Sequence, residues 1–115
     1  MLERQNNLPR LELDYSKLFD ATGRGVIVAI AKDDQSGEEL MVGYMDPQAY
    51  EYSAKTGFAV FWSRSRKEYW LKGSGSGSWM DIKSWKKDCD GDVLLMEVSP
   101  NGPVCHEEGK YTCFD

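Results

Sequence analysis

At 115 residues the chain has room for one domain with its own hydrophobic core and does not need disulfide staples. A formal net charge of −5, with no run of Lys or Arg, excludes a nucleic-acid-binding surface, whose affinity rests on clustered positive charge against phosphates. Three cysteines, an odd number, with no apolar leader and no apolar stretch of membrane-spanning length, predict a soluble protein of the reducing cytoplasm with no membrane partner.

Residues 1–24 are polar and mixed, with Leu11, Leu13, Tyr15, Leu18 and Phe19 as scattered apolar anchors, and are read as a short helix or an arm preceding a single domain over 25–115. From Gly25, the β-branched run Val26 to Ala31 is bounded by Gly25 and Asp33-Asp34, which predicts a buried strand. Gln35 to Glu38 is the turn, and Glu39 to Met45 returns as an antiparallel partner. The segment 46–57 carries helix punctuation: Asp46 as N-cap, Pro47 at the first helical position and Gly57 where the helix stops. Phe58 to Trp62 and Glu68 to Leu71 read as strands joined by the basic link Ser63-Arg64-Ser65-Arg66-Lys67. That link is either an ordinary charged hairpin tip or, with two arginines among hydroxyl residues, a phosphate or carboxylate site.

The run Gly73 to Ser78 alternates glycine and serine. It is too short to separate domains, and it lacks the spacing of a Walker A or dinucleotide motif. Its backbone N–H groups and hydroxyls, with Lys72 beside them, suit an anion cradle. Trp79 to Trp85 alternates as a half-exposed strand, with Trp79, Asp81, Lys83 and Trp85 on one side and Met80, Ile82 and Ser84 on the other. Val93 to Val98 is a core strand, Ser99 to Pro103 a loop, and Tyr111 to Phe114 closes the chain. The sum is a mainly β, α+β domain with one or two helices.

The chemistry-bearing residues crowd the last third. Asp88-Cys89-Asp90-Gly91-Asp92 is followed by Cys105-His106 and Cys113, so this stretch holds every cysteine and the sole histidine. A catalytic zinc takes three protein ligands and keeps one position open, and three thiolates, or two with the histidine, supply that count. Asp88, Asp90 and Asp92 offer the hard oxygen ligands that magnesium prefers. The plain alternatives are an Asp-Gly hairpin turn with solvated acids, and cysteines that serve as small core residues. No Cys-x-x-Cys pair exists, so spacing alone does not decide between them.

The succession Phe61-Trp62-Ser63-Arg64-Ser65-Arg66, then Trp70 and Lys72-Gly73, then Asp88 to Asp92, then Cys105-His106 and Thr112-Cys113-Phe114 resembles the phosphoribosyl-AMP cyclohydrolases of histidine biosynthesis. The resemblance runs from about Gly25 to the C-terminus and includes Gly43-Tyr44-Met45 before the helix. It implies a strand-rich pseudobarrel forming an intertwined homodimer with shared active sites. It implies zinc held by Cys89 of one subunit and by Cys105 and Cys113 of the other, and a water ionised by the metal that attacks C6 of an N1-alkylated adenine. The reaction implied is opening of the N1–C6 bond of 1-(5-phosphoribosyl)-AMP, the third step of histidine biosynthesis.

The same resemblance implies that His106 moves the proton as base or shuttle and that Asp88, Asp90 and Asp92 bind magnesium. Trp62, Ser63, Arg64, Arg66, Lys72, Ser76 and Gly77 then meet the phosphorylated nucleotide. Because the chain ends just after Phe114, no fused pyrophosphohydrolase domain is expected.

One departure stands out. After Lys-Gly the family continues Glu-Thr-Ser-Gly-Asn or Glu-Thr-Ser-Gly-His, whereas this chain has Ser74-Gly75-Ser76-Gly77-Ser78 and matches only at Ser76 and Gly77. The missing acid, threonine hydroxyl and terminal Asn or His leave two alternatives beside the cyclohydrolase reading. One is a paralogue acting on another purine-like or heterocyclic nucleotide. The other is a non-catalytic, zinc-stabilised nucleotide-binding protein.

Overall fold

The β-branched run after Gly25 forms β2 (Gly25–Asp33), the spine of the molecule, in a computed structural model that describes residues 8–72, 79–102 and 111–114. β3 (Glu39–Met45) returns antiparallel on one edge, and β7 (Val93–Pro100) runs parallel on the other. β6 (Met80–Lys87) pairs antiparallel with β7, and the short β1 (Leu18–Phe19) pairs with the start of β2. β4 (Val60–Ser63) and β5 (Glu68–Leu71) form the separate hairpin expected, with Phe61 opposite Trp70. The segment leading into that hairpin is tied to β6 by backbone bonds from Ile82 N–H to Gly57 O and from Ala59 N–H to Met80 O. The α+β, strand-rich class is as expected. Among the described residues the sheet is open, without the closure that the word pseudobarrel suggests.

The single described helix, α1 (Pro47–Thr56), starts and stops where its punctuation predicts. Asp46 Oδ1 accepts from Ala49 N–H at 2.8 Å, and Gly57, in the left-handed region, donates its N–H to Ser53 O. The helix buries Ala49, Tyr50, Ser53 and Ala54 against the strands, where Val26, Ala29, Met45, Phe61, Leu94 and Met96 are fully enclosed. Gly43 is needed for close approach, since a Cβ there would lie 2.6 Å from Phe61 Cδ1.

One expectation needs correction, and one pair of alternatives is decided among the described residues. In β6, Trp85 is buried with Met80 and Ile82 while Ser84 is exposed, because a bulge between Ile82 and Ser84 takes Lys83 out of the ladder and resets the alternation. Residues 8–17 contain no helix. They cross the domain as extended chain, with Leu11 N–H donating to Tyr50 Oη at 2.8 Å and Trp85 Nε1–H to Pro9 O at 2.7 Å. Trp85 also stacks on Tyr50 with ring centres 4.8 Å apart, so the arm covers an aromatic pair.

No helix among the described residues is long and apolar enough to cross a membrane. The sheet face away from α1 is apolar: Val28 and Ile30 of β2 pair with Tyr44 and Val42 of β3 and with Val93 and Leu95 of β7. Side chains at alternate positions share a face, so these six line up together. Each is half-buried or exposed, Val42 most of all at 45 %.

Candidate active site

The acidic motif forms the β6–β7 turn. Asp88 N–H donates to Val93 O at 3.0 Å and Gly91 N–H to Asp88 O at 3.1 Å, closing the loop. Gly91 sits at φ 74, a left-handed backbone that glycine adopts without strain. Asp88 Oδ1 accepts from the N–H groups of Asp92 and Val93 at 3.2 and 3.3 Å. Desolvation works to raise its carboxyl, but the backbone N–H groups of Val93, Asp92 and Gly91 outweigh it and hold Asp88 below the ordinary carboxylate range. The carboxylates of Asp88, Asp90 and Asp92 thereby converge, with one oxygen from each within 4.8 Å of the others. Cys89 stands exposed in the same turn.

The turn is also where the arm ends its path. Asp14 N–H donates to Gly91 O at 2.7 Å, and Lys17 Nζ lies 3.9 Å from carboxylate oxygens of both Asp14 and Asp90. These exposed ion pairs hold the arm only weakly.

Cys113 is placed elsewhere. Its N–H donates to Leu40 O at 2.8 Å, Thr112 Oγ1 donates to Glu39 O at 2.6 Å, and Tyr111 Oη donates to Asp33 Oδ2, so the C-terminal segment is laced to the β2–β3 turn. The Tyr111 hydroxyl is the main reason the Asp33 carboxyl lies below its ordinary range. Val28 N–H, at the fourth residue of β2, donates to Asp92 O, and Leu40 lies nearer the far end of the strand, next to the Met41 that pairs with Ala31. The three steps of β2 from Val28 to Ala31 span about 10 Å at ~3.3 Å per residue. Within one chain, the turn carrying Cys89 therefore lies toward the start of the central strand and the segment carrying Cys113 toward its end. Both thiols are exposed. Cys105 and His106 lie outside the described residues, as do Ser76 and Gly77.

The second cluster surrounds the β4–β5 hairpin. Trp62, Ser63 and Arg64 line a hollow of about 500 Å³ with Phe19, Tyr44 and Trp70. The Arg64 guanidinium lies 3.8 Å from the centre of the Tyr44 ring, a cation–π contact that sets it at the rim. Arg66 lines a neighbouring hollow with Ser63 and Glu68, and its N–H donates to Ser63 Oγ at 3.2 Å. Lys72, at the end of β5, is buried, with Nζ 5.4 Å from the Trp70 ring centre. Three of the expected substrate contacts thus share one hollow, a fourth adjoins it, and Lys72 lies behind Trp70.

Sequence reasoning missed the residues that hold this hollow in shape. Trp62 Nε1–H donates to Asp20 Oδ2 at 3.0 Å. Asp20 Oδ1 also gathers Thr22 Oγ1–H and N–H and Arg24 N–H at 2.6, 2.9 and 3.0 Å. The Thr22 hydroxyl first, then Arg24 N–H, the indole and Thr22 N–H, drive the Asp20 carboxyl far below its usual range against desolvation. Asp46 was legible only as a helix cap, yet its second oxygen binds Arg24 and Tyr69.

A family model described as phosphoribosyl-AMP cyclohydrolase matches residues 41–115. The chain is 46% identical over 105 residues to a phosphoribosyl-AMP cyclohydrolase of Solibacter usitatus, covering 90% of this chain and 79% of that one. It is 40% identical over 113 residues to one from Bifidobacterium adolescentis, covering 98% of this chain and 83% of the relative. Against the histidine biosynthesis bifunctional protein HisIE of Bacteroides thetaiotaomicron, identity is 39% over 104 residues, which is 90% of this chain and 48% of the relative.

Proposed function

The chain belongs to the phosphoribosyl-AMP cyclohydrolase family, and from that premise we propose that it hydrolyses 1-(5-phosphoribosyl)-AMP in the histidine pathway. The oxygen of water bonds to C6 of the adenine ring, the C6–N1 bond breaks, and N1 takes up a proton. C6 is left as a carboxamide. The observation that carries this reading is the family match over residues 41–115, which takes in the Trp62 hairpin, the acidic turn and all three cysteines.

The donor set fits the metals that this chemistry uses. Cys89, Cys105 and Cys113 are the ligands a catalytic zinc takes, and Asp88, Asp90 and Asp92, converging within 4.8 Å, are the oxygen set magnesium takes. When bound, zinc supplies a Lewis acid that ionises water near neutral pH. The other roles belong to the chain. Trp62, Ser63 and Arg64 orient the nucleotide in their hollow, while Arg66, Ser76 and Gly77 hold its phosphates and Lys72 adds positive charge from behind Trp70. His106 delivers the proton to N1 as the ring opens.

A homodimer with shared sites is part of the same proposal. The turn that carries Cys89 and the segment that carries Cys113 lie toward opposite ends of β2, which favours ligands drawn from two chains, and the apolar face of Val28, Ile30, Val42 and Leu95 suits a second copy. The testing experiment is turnover of phosphoribosyl-AMP by protein of measured zinc content, with and without chelator. The account expects a zinc-dependent change in adenine absorbance. A zinc-loaded dimer that binds the compound and leaves it intact would overturn it. The altered loop Ser74 to Ser78 favours one second reading, ring opening of a different N1-substituted purine nucleotide, and turnover of such a compound alone would select it.

A further inference from the structure

Trp62 is fixed at three points. Its Nε1–H donates to Asp20 Oδ2 at 3.0 Å, the Arg24 guanidinium lies over its ring 4.0 Å from the centre, and Tyr69 meets it edge-on with ring centres 4.9 Å apart. Two of these three contacts share an anchor. Arg24 Nη1 and Tyr69 Oη both donate to Asp46 Oδ2, at 2.6 and 2.7 Å. Asp46 is only 2 % exposed, and its other oxygen, Oδ1, caps α1 at Ala49 N–H.

A carboxylate so desolvated is costly unless charge-assisted bonds satisfy it, so breaking one partner away from Asp46 is strongly disfavoured. The start of α1, the Arg24 guanidinium and the Tyr69 phenol are therefore set as one unit, and the indole lies against two of its parts. Neither Arg24 nor Asp46 lines the hollow in front of Trp62. Whatever they do for a ligand there, they do through the indole.

We propose that Asp46 is a positioning hub which, through Arg24 and Tyr69, holds Trp62 as a fixed wall of the nucleotide hollow. Arg24 and Asp46 are then positioning residues for recognition and take no part in the bond-breaking step. A pre-set wall spares the nucleotide the entropy of ordering it on binding. The proposal rests on the cyclohydrolase reading only for the identity of the ligand.

The test uses the full zinc-loaded chain with Arg24→Met, Asp46→Asn and the double variant. Asparagine caps a helix about as well as aspartate, so Asp46→Asn weakens the link to Arg24 while sparing α1. Each single change is expected to raise KM for phosphoribosyl-AMP by about 5- to 20-fold, with kcat held within about 2-fold. The dissociation constant of AMP, read by calorimetry, should rise in parallel. The double variant should be little worse than either single, since both break one linkage. Arg24→Lys, which keeps the charge and loses the planar stack, should recover part of the loss.

A merely structural role would lower Tm and leave KM and the AMP constant at wild-type values, and that result overturns the proposal. If the wild type binds AMP but does not turn over phosphoribosyl-AMP, the cyclohydrolase reading fails and the AMP constants of the variants still decide this one. If the wild type does neither, both fall together.

Discussion

The Trp62 hollow and the Asp88 to Asp92 turn are built on opposite principles. Around Trp62, side chains from β4, β5, the segment 20–24 and Asp46 lock one another through buried carboxylates and ring contacts, all within one chain. At the acidic turn the backbone and the Asp88 carboxylate do the holding, while Cys89 and Asp90 stand exposed. Under the proposed function, the difference teaches that recognition geometry is folded in, whereas the reactive end awaits ions and a second copy of the chain. Changes in the first region should register as stability or affinity, and changes in the second as turnover.

Cys89→Ser gives the sharpest contrast. Removing a proposed metal ligand is expected to lower turnover by at least about 10³-fold, while Tm moves by no more than about 2 °C because the thiol is exposed. Steady-state assay and thermal denaturation of the same preparation check both halves. A large fall in Tm would mean the turn is structural as well as reactive.

Phe61→Ala probes the other region, where the side chain is fully enclosed behind the hollow. Loss of that ring is expected to cost about 3–5 kcal/mol in urea unfolding. Gly43→Ala works on the same contact from the opposite side, forcing a methyl to 2.6 Å from Phe61, with an expected cost of about 1–3 kcal/mol. If either variant unfolds at the wild-type urea midpoint, the packing described behind the hollow is wrong.

Asp46→Ala comes next in size. It removes the helix cap, with an expected cost of about 1–2 kcal/mol, whereas Asp46→Asn should retain most of that stability. Equal losses in the two would show that the link to Arg24, and not the cap, carries the effect.

The smallest expected effect is on pH dependence. Asp20 titrates far below its unfolded value, so its contribution is fully present above the ordinary carboxylate range near pH ~4 and is lost as pH falls toward the depressed value. Asp20→Asn should flatten the decline of Tm with acid below about pH 4. An unchanged acid limb would mean that the Thr22, Arg24 and Trp62 donors do not converge on Asp20 as described.

Much of this was legible in the sequence wherever the cause is local. Asp46, Pro47 and Gly57 marked the helix ends, the basic tip after Trp62 marked the β4–β5 hairpin, and Asp-Gly marked the turn that brings three carboxylates together. The rest depends on contacts between distant residues. Trp85 was assigned to the wrong face because nothing around Lys83 signals a bulge. Asp46 reaches Arg24 and Tyr69 across 22 and 23 residues, and Trp62 reaches Asp20 across 42, separations at which no periodicity or cap rule operates.

The separation of the Cys89 turn and the Cys113 segment toward opposite ends of β2 was likewise invisible without the strand register. It bears on the central claim, that one chain completes the recognition wall while two chains complete the metal site. Co-expression of Cys89→Ser and Cys113→Ser chains tests that claim most directly. In a two-fold dimer with shared sites, each mixed dimer holds one site free of either substitution, so turnover should return to about a quarter of wild type in the mixture. Mixtures no more active than the separately expressed variants, from dimers shown to contain both chains, would contradict it.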